Sequence, residues 1–285
     1  MTLADANLTT GPGNENSPVL SVKVSVSYGE KVVLSEINLD LRQGEVLGLI
    51  GQSGSGKSTL AMAILGLLDR KRAKVDGIIE FETRNLLQLS ERDLRDLRGR
   101  KLALVLQSPQ SSLNPALRVR TQMREVWRAH ASASRYDAEQ TIRTALESVS
   151  LPATDNFLRK YPSQMSVGQA QRVLIAMAIL HRPSVLIADE ATSALDVITQ
   201  SEILKLFREL NRAFGMSILY ISHDLASVSD ICDRVAILHQ GNIVETGLTT
   251  QVLTCPQHEY TQRLLAAMPK MPQRPQASSA AASLR

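Results

Sequence analysis

The stretch that most constrains this chain is GQSGSGKS, Gly51–Ser58. The apolar run EVLGLI precedes it and TLAMAILGLL follows. A buried strand therefore turns through glycines directly into a helix. The glycines let backbone N–H groups turn inward around an anion, and the helix N-terminus adds partial positive charge. The spacing matches G-x-x-x-x-G-K-[ST], which adds Lys57 as a point charge for β- and γ-phosphates and Ser58 as a hydroxyl for Mg²⁺. A glycine-rich turn with a chance lysine is the plainer alternative, and the flanking strand and helix argue against it. The cradle Gly51, Gln52, Ser53, Gly54, Ser55, Gly56, Lys57, Ser58, Thr59 implies a nucleoside triphosphate. It leaves kinase, switch and motor open.

The surrounding pattern is that of an α/β fold. EVLGLI, KLALVLQ, SVLIAD, MSILYIS and RVAIL are short continuous apolar runs, suited to strands buried on both faces of a parallel sheet. LSVKVSVS and INLDL instead alternate, putting Leu20, Val22, Val24, Val26 and Ile37, Leu39, Leu41 on single faces, as in a half-buried antiparallel sheet. A helix starting near Thr199 carries Ile203, Leu206, Phe207 and Leu210 at helical spacing. LHQGNIVE reads as a hairpin turning at Gly241–Asn242. Between about 90 and 165, charged helical stretches suggest an inserted helical subdomain, with Ser90/Asp93 and Asp137/Gln140 as start signals. Residues 1–18 and 269–285 read as disordered tails by composition.

Composition excludes several classes. With 32 basic and 28 acidic residues, a net charge of +4 gives no argument for nucleic acid. Two distant cysteines, Cys232 and Cys255, exclude a disulfide scaffold and read as two buried thiols in a reducing compartment. The longest strongly apolar run, Val173–Leu180, is far shorter than the ~20 residues of a membrane helix.

Two further strand ends carry polar groups. Asp189 ends SVLIAD, where a carboxylate can hold Mg²⁺ through water, and Glu190 follows, where it can polarise a water aimed at a γ-phosphate. LYISHDL places Ser222, His223 and Asp224 at another strand end on the same side of the sheet. The stretch QMSVGQAQR is a capping box, with Ser166 and Gln169 opening a helix.

Taken together, GQSGSGKS, LVLQSPQSSLNP, MSVGQ, VLIADE, SALD and SHD resemble, in order, the motifs of an ABC transporter ATP-binding subunit, over about residues 19–268. The resemblance implies a P-loop NTPase core with a mostly parallel sheet, an N-terminal antiparallel β subdomain, a helical insert at about 90–165 and a C-terminal extension at about 250–268. It implies ATP and Mg²⁺ as cofactors. Tyr28 would stack on adenine, and Gln107 would reach Mg²⁺ alongside Ser58 and Asp189. Glu190 would be the catalytic base and His223 the switch histidine, acting with Lys57 and Gln107. Ser166, Val167, Gly168 and Gln169 would face a partner's ATP, and Asp196 would contact that partner. Val167 departs from the family, which usually has glycine there.

QSPQSSLNP, YPSQMSVGQAQRVLIAMAIL and CPQHEYTQRLLAAMP are similar to the peptide/nickel importer subgroup. That likeness implies import of peptides, nickel or metal chelates. It also implies a second ATP-binding subunit, more readily a different chain than a copy, two permease subunits, a solute-binding protein and a place on the cytoplasmic face of the inner membrane. Cys255 stands nearly alone, so no iron–sulfur cluster is expected. Weighed against this are a soluble ABC ATPase acting on nucleic acid or ribosomes, an exporter subunit and a binding-only regulatory cassette. A single phosphate loop without a heptad run argues against the first, and the presence of Asp189, Glu190 and His223 argues against the last.

Overall fold

The computed structural model describes residues 18–131 and 135–267, so the expected tails lie outside it, except that Pro18 already belongs to a strand. An antiparallel sheet is built from β1 (Pro18–Tyr28), β2 (Lys31–Arg42), β4 (Ala73–Phe81) and β5 (Arg84–Asn85), in the order β2-β1-β4-β5. The second sheet contains β3 (Val46–Ile50), β6 (Leu102–Val105), β7 (Val185–Asp189), β8 (Ser217–Ser222), β9 (Arg234–His239) and β10 (Asn242–Leu248). Its order is β10-β9-β3-β8-β7-β6, parallel except for the β10 edge.

The continuous apolar runs are buried on both faces, as their lack of alternation requires. Leu47, Leu49, Val185, Ile187, Leu219 and Ile221 share one core with the inward face of the antiparallel sheet and with Leu60 and Ile64 of α1 (Lys57–Ile64). Val46, Ile50, Leu186, Ala188, Ile218 and Tyr220 point the other way, into a second core. There they meet α7 (Val167–Ile179), α8 (Val197–Phe214) and α9 (Leu225–Ile231).

The region expected as a helical insert is divided. α2 (Glu91–Leu97) belongs with α1: Leu94 and Leu97 join the same core, and Arg98 donates from Nε to the Leu65 carbonyl at 2.7 Å. β6 then pairs with β7 inside the core sheet. The helical block proper begins after it, with α3 (Pro109–Ser112), α4 (Val119–Arg128), α5 (Arg135–Ser148) and α6 (Asp155–Leu158). Arg120, Arg124 and Arg143 bind Glu139 and Asp155 and tie α4, α5 and α6 together.

Local signals differ in detail. Ser90 caps α2 as expected, accepting from Asp93 N at 3.2 Å. Asp137 is not a cap, because α5 begins at Arg135 and takes it into the first turn. α8 begins at Val197 rather than near Thr199. The hairpin turns on Gln240–Gly241, one residue earlier than expected, with Asn242 already paired to His239. Both turn residues have positive φ, 47° and 80°, as a two-residue hairpin loop requires. Cys232 is buried but Cys255 is exposed, which corrects the expectation of two buried thiols. The C-terminal extension contains α10 (Thr249–Thr254) and α11 (Glu259–Ala266), held by Glu245 accepting from Gln257 N and His258 N. Among the described residues, no helix is long and apolar enough to cross a membrane.

Candidate nucleotide site

The phosphate loop leaves β3 at Ile50 and enters α1 at Lys57. Gly56, the N-cap, has φ 110°, and a Cβ there would stand 2.5 Å from Leu34 Cδ2. Only glycine allows the loop this close to β2 with that backbone. Lys57 is 4% exposed, and its ammonium donates to the Gly51 carbonyl at 2.8 Å and the Gln52 carbonyl at 3.0 Å. The loop thereby wraps its own lysine and holds it at the floor of a cleft. Ser53, Gly54, Gly56, Lys57, Ser58, Thr59, Gln107 and Glu190 line this cleft.

The ends of β7 and β8 bring the acidic groups to the same place. Glu190 Oε1 lies 3.7 Å from Lys57 Nζ and 3.3 Å from His223 Nδ1. The backbone of Glu190 has φ 49°, a left-handed conformation uncommon outside glycine. Asp189 is 6% exposed, stands beside the Ser58 hydroxyl and keeps a buried Oδ1 without a partner. Burial pushes its carboxyl above the ordinary range, the Ser58 hydroxyl pulls it back, and the neighbouring Glu190 charge raises it again. An orphaned buried carboxylate oxygen beside a hydroxyl is a pair of hard oxygen donors, which fits a small hard divalent cation, and Gln107 lines the same cleft as Ser58. The Ser55 hydroxyl is likewise buried without a partner, under the phosphate cradle.

Other expected site residues do not enter this cleft. Tyr28 is 38% exposed at the end of β1, outside the lining. Ser166, Val167, Gly168 and Gln169 open α7 on a different surface. Ser166 Oγ accepts from Gln169 N at 3.2 Å, and Gln169 Oε1 accepts from Ser166 N at 3.4 Å, which completes the capping box. Val167 is 38% exposed. Gly168 has no room for a side chain, since a Cβ would meet Thr199 Cγ2 at 2.8 Å. The α7 start thus packs on the start of α8, where Asp196 is the cap, accepting from Ile198 N, Thr199 N and Thr199 Oγ1 at 3.1, 3.0 and 2.7 Å. That capping role was available in the sequence: an aspartate immediately before an apolar-periodic run is a start signal. Asp224, grouped with His223 in the sequence, caps α9 instead of facing the cleft.

Residues 34–193 match the family described as ABC transporter. The chain is 43% identical to the peptidoglycan transport ATP-binding protein YejF of Agrobacterium fabrum, over 89% of this chain and 47% of that protein. It is 41% identical to the glutathione import ATP-binding protein GsiA of Salmonella typhimurium, over 90% of this chain and 43% of that protein. The chain therefore spans about half the length of these relatives. Its fold is similar to the dimeric bacterial ABC transporter cassette MJ0796, with TM-score 0.70 and 27% identity over 81% of this chain and 98% of that one. It is also similar to cbiO1 of Clostridium perfringens, with TM-score 0.72 and 28% identity over 82% and 90%. With more than half its length matched by one family, over a segment running from the β2 edge of the loop to the carboxylates of β7, the chain belongs to the ABC transporter family and has the fold of its ATP-binding cassettes.

Proposed function

We propose that this chain binds and hydrolyses ATP to energise an ABC importer for peptides or related small solutes. The observation that carries the reading is the convergence of Lys57, Glu190 and His223 on one carboxylate oxygen at the mouth of the phosphate loop. The reaction is attack of water on the γ-phosphate, giving ADP and phosphate. Loop N–H groups and Lys57 hold the β- and γ-phosphates and offset the charge that spreads over them. Glu190 accepts the water's proton, and His223 keeps that carboxylate and the γ-phosphate in register. Ser58, Asp189 and Gln107 would hold Mg²⁺, which would supply positive charge against the phosphates. Tyr28, exposed at the end of β1, is assigned as the stacking surface for adenine.

The turn Ser166–Gln169 stands outside this cleft, which supports a role on a second subunit's nucleotide, as does the dimeric state named for the similar cassette. We assign that second nucleotide to a second ATP-binding subunit, more readily one of different sequence than a copy. An apolar groove lined by Leu104, Leu106, Val126, Leu174 and Met177 adjoins Gln107 and suits a helix from a permease subunit. Two permeases, a solute-binding protein and a station on the cytoplasmic face of the inner membrane follow from that reading. Import is favoured by the name of the GsiA relative, and peptide-class solutes by the glutathione and peptidoglycan of the two names, neither of which names a metal. The test is Glu190→Gln in the assembled transporter. Turnover should fall roughly 10²–10⁴-fold with ATP still bound, and wild-type turnover would exclude Glu190 as the base.

A further inference from the structure

Under the cleft runs a chain of buried hydroxyls that the reaction as described does not use. Thr192, 3% exposed, and Tyr220, fully buried, share a hydrogen bond of 2.9 Å between Oγ1 and OH. The hydroxyls of Ser222 and Ser227 stand beside that of Tyr220 and lie 3.3 Å apart. Ser222 Oγ in turn accepts from Asp224 N at 2.9 Å, so it fixes the turn that carries His223. Thr192 stands two residues beyond Glu190, and Tyr220 three before His223. The Thr192–Tyr220 bond therefore ties the segment after Glu190 to the strand that leads into His223, whose side chains meet at 3.3 Å.

Glu190 is flanked by two such ties. Its φ of 49° is sparsely populated outside glycine, and contacts on both sides hold it here. On one side Glu190 N is held by the Ile221 carbonyl at 2.9 Å. On the other, the Thr192 hydroxyl is the buried anchor after the bend. A buried hydroxyl pair in a low-dielectric core resists rearrangement, because breaking it strands two polar groups.

We propose that Tyr220 is a positioning residue for hydrolysis: through its bond to Thr192 it sets where the Glu190 carboxylate stands between Lys57 and His223. This rests on the reading of Glu190 as the base. Tyr220→Phe removes one oxygen and keeps the ring that packs on Phe207. In the full transporter complex, kcat at saturating Mg²⁺-ATP should fall roughly tenfold, as for a small misplacement of a reacting group, while KM for ATP stays within about twofold. Thr192→Val should give the same loss, and the double variant should be no worse than either alone, since both delete one bond. Thr192→Ser, which returns the hydroxyl, should recover the rate lost in Thr192→Val. Wild-type kcat in Tyr220→Phe, or additive losses in the double variant, overturns the proposal. Glu190→Gln in the same preparation separates the two failures. If it is inactive while Tyr220→Phe turns over normally, only the positioning role falls; if it is fully active, the base assignment falls and takes the positioning role with it.

Discussion

The Nδ1 atom of His223 and the Oε1 atom of Glu190 lie 3.3 Å apart, and that same oxygen faces Lys57 Nζ at 3.7 Å. The contact brings the end of β8 to the end of β7 and aims both at the phosphate loop. His223 is 55% exposed, so it is held by this contact and by its turn rather than by packing. Replacing it removes little buried surface. His223→Ala should cut turnover by roughly 10²-fold, at the low end of acid–base and alignment effects, with nucleotide affinity changed only a few-fold. Thermal stability should shift within about 0.5 kcal/mol, as for an exposed side chain. Steady-state turnover and nucleotide titration on the same protein check all three.

Asp189 should trade stability for function. Its carboxylate is buried with one oxygen unpartnered, and its pKa is raised first by burial. A carboxyl whose folded pKa is raised contributes stability below its unfolded value, 3.8, and that contribution is lost as pH rises through the folded value. At neutral pH the ionised group therefore strains the metal-free chain. Asp189→Asn keeps an acceptor for Ser58 and removes the charge, so it should raise Tm without Mg²⁺ by ~2–4 °C, about 1 kcal/mol. The gain should vanish below pH 3.8. The same variant should lose the stabilisation that Mg²⁺-ATP gives the wild type. Melting curves against pH, with and without Mg²⁺-ATP, decide it.

Much of this was legible because the signals are local. A phosphate loop needs its glycines, lysine and serine at fixed spacing, and a doubly buried strand has to be continuously apolar. Glu190 could be read as a carboxylate at a strand end, but not its left-handed backbone, since no residue type there announces it. The Tyr220–Thr192 bond joins residues 28 positions apart, and no local pattern announces it. β6 is only four residues long and lies between charged helical stretches, so the expected insert at about 90–165 encloses it although KLALVLQ itself reads as a core strand. The hairpin was displaced by one residue because Asn-Gly order is reversed here, and Gln240 takes the left-handed position an asparagine would suit.

For Asp196 the cap can be separated by experiment from the proposed contact with a second subunit. Hydrogen bonds from Thr199 hold its carboxyl below the ordinary range. A lowered folded pKa contributes stability above the unfolded value, 3.8, and loses it as pH falls through the folded one. Asp196→Ala should therefore lower Tm at pH 7, with the deficit shrinking in acid. Asparagine caps helices as well as aspartate, so Asp196→Asn should keep Tm near wild type. A fall in turnover of the assembled pair with Asn, at unchanged Tm, then reports contact with the other subunit; unchanged turnover assigns Asp196 to the cap alone.

Val167 should weaken the ATP site to which this chain lends α7. Gln169 N is taken by Ser166 Oγ, which leaves the first-turn N–H groups of Val167 and Gly168 for an anion. The valine side chain is 38% exposed on that turn, where it crowds whatever approaches. Val167→Gly should raise ATPase turnover of the assembled pair and tighten nucleotide at one of its two sites. No change in either makes the valine neutral.

Gly168 offers the sharpest packing test. A methyl there would stand 2.8 Å from Thr199 Cγ2, which is pinned because Thr199 Oγ1 donates to Asp196. Gly168→Ala should destabilise the chain by about 1–3 kcal/mol, the cost of overpacking. Thr199→Ser deletes the offending methyl and keeps the hydroxyl on Asp196. In the Gly168→Ala/Thr199→Ser double variant most of the loss should return, a non-additive pair with a favourable coupling. If the double variant is no more stable than Gly168→Ala alone, the α7 and α8 starts are not in the register described, and the surface they share would have to be drawn differently.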